Sequence, residues 1–183
     1  MENPSYRRLG DHIESVEVEY DPAVMSYEKL LDVFWASHDP GALPRKRQYL
    51  SAVFPLNERQ RDLAVRTRER EAARAKRRIH TEILPAARFY PAEAYHRKFA
   101  LRGKQALFKE YEAIYPNIED FLASTAVTRV NGYAGGHGTC EALLSEIEGL
   151  GLSTAGRKRL EEIVCRGGAG KRTNGEAVCP NGT

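Results

Sequence analysis

The chain of 183 residues has the size of one domain, or of one domain with an appendage, and its 42% hydrophobic and 29% charged residues are those of a globular protein. No apolar run approaches about 18 residues, so no membrane span is expected, and a net charge of +3 drawn from mixed signs gives little drive toward nucleic acid. The opening Met-Glu-Asn-Pro-Ser-Tyr predicts no signal peptide, and with Cys140, Cys165 and Cys179 odd in number a structural disulfide framework is not expected; a cytoplasmic, reducing setting is.

Residues 1 to 9 read as a loop. In 15 to 20, Val16, Val18 and Tyr20 alternate with Ser15, Glu17 and Glu19, the period of a half-buried strand, and Asp21-Pro22 ends it. Carried backwards, that parity puts Glu14 and His12 on the apolar side. Alternatively the alternation begins only at Val16, and Glu14 is a loop residue. Ser26 is an N-cap for a helix over 27–37, whose Leu30, Leu31, Phe34 and Trp35 share a face, and His38-Asp39-Pro40-Gly41 stops it. Residues 49 to 54, apolar on both parities, read as a central strand closed by Pro55. A long arginine-rich helix follows over 57–78. Its mixed acids favour a solvated face with intrahelical ion pairs over a nucleic-acid-binding helix.

Residues 79 to 84 form a third short strand, and Pro91 suits the first turn of a helix in which Tyr95 and Phe99 share a face. From 103 to 163 the pattern is helical, with helices near 104–114 and 117–124 and a last pair flanking Gly149-Leu150-Gly151. Asn131 to Gly138 reads as a flexible loop. After Cys165 the chain is polar and glycine-rich, and a flexible tail over 166–183 is expected.

No phosphate loop, dinucleotide fingerprint or zinc spacing is present, so no bound cofactor or metal is expected. The side chains that invite chemistry are Glu14, the phenols Tyr6 and Tyr49, and the Phe89-Tyr90 pair. A carboxyl kept neutral by apolar surroundings, with phenols beside it, could protonate a polar oxygen on an otherwise apolar substrate.

These residues stand in an order that resembles the peptide methionine sulfoxide reductase A family. Asn3-Pro4-Ser5-Tyr6, Gly10 to Glu14, Val18 to Pro22, Phe34-Trp35 with His38-Asp39-Pro40, Gln48-Tyr49 with Ser51 to Phe54, and Phe89-Tyr90 with Tyr95-His96 carry the resemblance, over about residues 3 to 100. It implies reduction of methionine S-sulfoxide, free or in proteins, by thiol chemistry, with thioredoxin or another thiol as electron donor. In that family a thiolate attacks the sulfur while a protonated glutamate and two tyrosines hold the oxygen. The glutamate of the family's His-x-Glu motif falls on Glu14, and the tyrosines fall on Tyr6 and Tyr49. His12, Phe89 and Tyr90 are then expected to line the substrate.

The family's nucleophile lies in a Gly-Cys-Phe-Trp motif that this sequence does not contain. Three explanations stand: a fragment, a degenerate member without activity, or substitution by Cys140, Cys165 or Cys179. The fold expected is α+β. A ferredoxin-like two-layer sheet-and-helix core, incomplete at its N-terminus, occupies 1–103, a helical extension 104–165 and a tail 166–183. A non-catalytic module that binds oxidised-methionine peptides, or RNA through the 59–78 helix, is the competing reading.

Overall fold

The computed structural model describes residues 10–166, in two compact units; the first ends at Pro91 and the second begins at Ala92. In the first, α1 (Tyr27–Ala36) starts where the Ser26 hydroxyl accepts from the Lys29 amide, with Glu28 in the positively polarised first turn. Leu31 and Trp35, one turn apart, turn the same way and are buried against Ala64 of α2 (Glu58–Ala75). Asn57 caps α2 by accepting from the Gln60 amide, and Lys76 ends it in the left-handed conformation. The Trp35 indole N–H donates to Thr67 on α2 at 3.0 Å inside this contact. Along α2, Arg61 pairs with Glu58 and Arg74 with the buried Glu71, the intrahelical pairs its mixed charges predict, while Arg70 reaches across to Asp32 on α1.

Strand β1 (Ala52–Val53) runs parallel to β2 (Glu82–Ile83), with Ala52 opposite Glu82 and Val53 opposite Ile83. A parallel pair cannot be closed by a hairpin, and α2 makes the crossover. His38, just past α1, ties that helix to the residue preceding β2. Its Nδ1 lies 2.8 Å from the Phe34 carbonyl, so Nδ1 carries the proton, and in the neutral ring Nε2 accepts from the Thr81 hydroxyl at 2.9 Å.

This architecture overturns the ferredoxin-like two-layer core. Of the three strands predicted, 49–54 and 79–84 shrink to two residues each, and 15–20 is not a strand at all. Val16 is 87% exposed and Val18 56%. Alternation makes a strand only when a neighbouring backbone accepts and donates along it, and residues 15–20 have no ladder partner among the described residues. The described chain is predominantly helical instead.

The second unit is helical, as the pattern from 103 onward predicts: α3 (Phe99–Arg102), α4 (Gln105–Ile114), α5 (Ile118–Ala123), α6 (Thr125–Ala134), α7 (Cys140–Glu146) and α8 (Thr154–Glu161). A 3₁₀ turn (Ile147–Leu150) joins the last two helices, and a π-helical turn (Glu162–Arg166) follows α8. Leu101, Leu107, Tyr111, Val127, Val130, Leu143 and Leu160 are fully buried in its core. Each such leucine contributes about 1.5–3 kcal/mol by leaving water. The Tyr111 hydroxyl donates to the Leu150 carbonyl at 2.7 Å, and burial first, with Tyr115 and Glu110 nearby, pushes its phenol well above the ordinary value.

Two local expectations fail here. The helix anticipated from Pro91 is turns as far as Lys98, leaving Tyr95 and Phe99 exposed. The loop anticipated from Asn131 begins only at Gly135, because Val127, Val130 and Tyr133 recur at three-residue spacing and carry α6 into the core through Ala134. In the remaining loop Gly138 has φ +99°, and a Cβ there would sit 2.6 Å from the Tyr133 ring, so glycine is required on both counts.

Candidate active site

Glu14 lies in an irregular segment, and what places it is the turn that carries Gln48. The Glu14 amide donates to the Gln48 carbonyl at 3.0 Å, and the Gln48 side-chain amide donates to Glu14 Oε1 at 3.2 Å. The same 3₁₀ turn, Arg47–Tyr49, closes through the Tyr49 amide on the Lys46 carbonyl and sets Tyr49 next to that contact, 49% exposed. The carboxyl is exposed, so the parity argument that turned Glu14 inward fails together with the strand it rested on. The pairing of Glu14 with the Gln48-Tyr49 turn does not depend on that strand.

Two residues before Glu14, the half-buried His12 ring meets Tyr90 edge-on, centroids 5.4 Å apart and planes at 89°. The Arg88 guanidinium lies over the same Tyr90 ring at 5.0 Å from its centroid. Phe89 is 44% exposed beside it. The structure thus brings His12 to Tyr90 and Glu14 to the Gln48-Tyr49 turn, within one three-residue stretch of chain. Tyr6 and Cys179 lie outside the described residues, as does the expected tail beyond Arg166.

Cys140 and Cys165 belong to the second unit, and they are bonded to each other with Cα atoms 4.8 Å apart. This corrects the expectation that the cysteines form no structural disulfide. They are 25 positions apart in sequence. Only the return of α8 beside α7 brings them together, which no spacing rule reveals. Two contributors to the site were also missed as site residues. Gln48 was visible only as part of the Gln48-Tyr49 pair, and Arg88 as a lone charge before two aromatics. Among the described residues no three His, Cys, Asp or Glu side chains converge as a metal site, and no helix is long and apolar enough to cross a membrane.

What this arrangement can do is limited and specific. A carboxyl fixed through one oxygen by an amide donor keeps its second oxygen for a proton, and a phenol stands on the neighbouring turn. Both can donate to an oxygen on a ligand. The aromatic pair with its cation offers a face for an apolar or sulfur-bearing group.

The sequence model of the family described as peptide methionine sulfoxide reductase matches residues 1–130. A peptide methionine sulfoxide reductase of Drosophila melanogaster is 40% identical over 159 residues, which is 85% of this chain and 63% of that protein. The peptide methionine sulfoxide reductase A5 of Oryza sativa subsp. japonica is 44% identical over 139 residues, covering 72% of this chain and 53% of its own. The peptide methionine sulfoxide reductase MsrA of Methanothermobacter thermautotrophicus is 44% identical over 110 residues, 54% of this chain and 65% of its own. The chain therefore spans between about half and two thirds of the length of these relatives.

Proposed function

The chain belongs to the peptide methionine sulfoxide reductase family, and from that premise we propose that it serves the reduction of methionine S-sulfoxide to methionine, in proteins or free, as the oxygen-handling part of the site. The observation that carries the reading is the family match over residues 1–130, which contains Glu14, Tyr49, His12, Phe89 and Tyr90 together. In this reading a thiolate attacks the sulfoxide sulfur and the oxygen passes to that cysteine as a sulfenic acid, releasing methionine. A second thiol condenses with the sulfenic acid, water leaves, and a dithiol donor of the thioredoxin class reduces the resulting disulfide.

Glu14 is the proton donor to the sulfoxide oxygen. Gln48 holds Oε1 and leaves Oε2 for the proton. Tyr49 and Tyr6 are the further hydrogen-bond donors to that oxygen, and His12, Phe89 and Tyr90 border the methyl and methylene groups. A cytoplasmic setting belongs to the same reading. The Gly-Cys-Phe-Trp motif that carries the family's nucleophile does not occur in the sequence, and in this reading the nucleophile is supplied in that form.

The test is to join a segment bearing that motif ahead of Met1 and to assay reduction of methionine-S-sulfoxide and methionine-R-sulfoxide peptides with dithiothreitol. Turnover confined to the S-epimer is expected from the joined protein, and none above the uncatalysed rate from the chain alone. A folded joined protein without S-specific turnover would overturn the reading.

A further inference from the structure

We propose that the Cys140–Cys165 disulfide is a redox-operated latch that holds the last described turn of the helical unit, independent of the reductase reading above. The bond joins the first residue of α7 to the π-helical turn after α8, and so closes a loop containing α7, the 3₁₀ turn and α8. Most of that loop does not need the bond. Leu143 and Leu160 are fully buried, and Ile147 and Leu150 nearly so, which anchors α7, the turn and α8 in the core by packing alone.

The last turn is different. Glu162–Arg166 contains no buried residue, and Ile163 and Val164 are only partly covered by the core. Its one ion pair among the described residues, Arg166 with Glu162, is exposed and 3.9 Å long, and so holds little. A π-helical turn is also a rare geometry in proteins. The covalent bond is therefore what fixes this turn, while the helices before it are fixed by apolar contacts. Neither cysteine is buried, both being partly accessible, and exchange needs a thiolate to approach one of the two sulfurs.

The reaction is an exchange with a dithiol. One thiolate attacks a sulfur of the pair and expels the other cysteine as a thiolate, which takes a proton. The second thiol of the donor resolves the mixed disulfide. Two electrons and two protons pass to Cys140 and Cys165, and the donor leaves as its own disulfide. Reduction then frees residues 162–166 and uncovers Ile163 and Val164, with the core of the unit intact.

The experiment is amide hydrogen exchange on the full chain carrying Cys179→Ser, which removes the third thiol, before and after reduction by dithiothreitol, with peptide mass spectrometry reporting the bond. Reduction is expected to speed exchange at Ile163 and Val164 by about tenfold or more, to leave Leu107, Tyr111, Val127 and Val130 within about threefold, and to reverse on reoxidation. The Cys140→Ala, Cys165→Ala variant should match the reduced protein. Unchanged exchange at 163–164, equal acceleration of the core amides, unfolding of the alanine variant, or free thiols at 140 and 165 in unreduced protein would each overturn the latch.

Discussion

Replacing Thr67 by Val tests the contact on which the first unit is built. Thr67 is 2% exposed and accepts the Trp35 indole proton at 3.0 Å where α1 crosses α2. Valine keeps the shape and removes the acceptor. Trp35 is itself 3% exposed, so water cannot replace that acceptor, and the stranded donor costs about 1–3 kcal/mol. With a urea dependence of about 1 kcal/mol/M, the unfolding midpoint should fall by about 1 M or more. Trp35 is the chain's one tryptophan, so its fluorescence reports this unit alone. The same substitution in a Trp35→Phe background, followed by far-UV circular dichroism, should cost less than about 0.5 kcal/mol, because no N–H remains to be stranded. Equal costs in the two backgrounds would refute the reasoning.

Tyr111→Phe should lower the stability of the second unit by about 1–2 kcal/mol in calorimetry, since the buried Leu150 carbonyl loses its donor. Burial draws the Glu146 carboxyl upward, but bonds from Tyr133 and Arg129 outweigh it and hold the group below the ordinary carboxylate value. A depressed acid contributes stability above its unfolded pKa and loses it as pH falls through the folded one. Thermal stability of the second unit should therefore decline below about pH 4.5, and less so in Glu146→Gln. Val16, Val18, Val24 and Val33 are all more than half exposed in the first unit, so the chain should self-associate in sedimentation experiments. Lysines at positions 16 and 18 should shift it toward monomer.

Helices α1, α2, α4 and α5 were legible because each carries its own signal. Ser26 and Asn57 announce their helices, Leu31 with Trp35 gives α1 its face, and the acids of α2 announce its ion pairs. The sheet was not, because a strand is a relation between two segments. The alternation in 15–20 is real in sequence and meets no partner among the described residues, whereas Ala52–Val53 pairs with Glu82–Ile83 only across an 18-residue helix. The site divides in the same way. Glu14, Tyr49, His12 and Tyr90 could be named from motif order. That Gln48 holds Glu14, and that His12 meets Tyr90 across nearly eighty positions of chain, are tertiary facts. The Cys140–Cys165 bond is another of this kind, since nothing local in either sequence neighbourhood points to the other.

In the proposed function Glu14 protonates the departing sulfoxide oxygen. The measurement that meets it most directly is the kcat for methionine-S-sulfoxide of the protein joined to a Gly-Cys-Phe-Trp segment, with Glu14 and with Glu14→Gln. Glutamine keeps the size of the side chain and can still bond to Gln48, but it carries no transferable proton. The account predicts a fall in kcat of about 10²–10⁴-fold with KM changed only a few-fold. A Glu14→Gln protein within about threefold of its parent would contradict it.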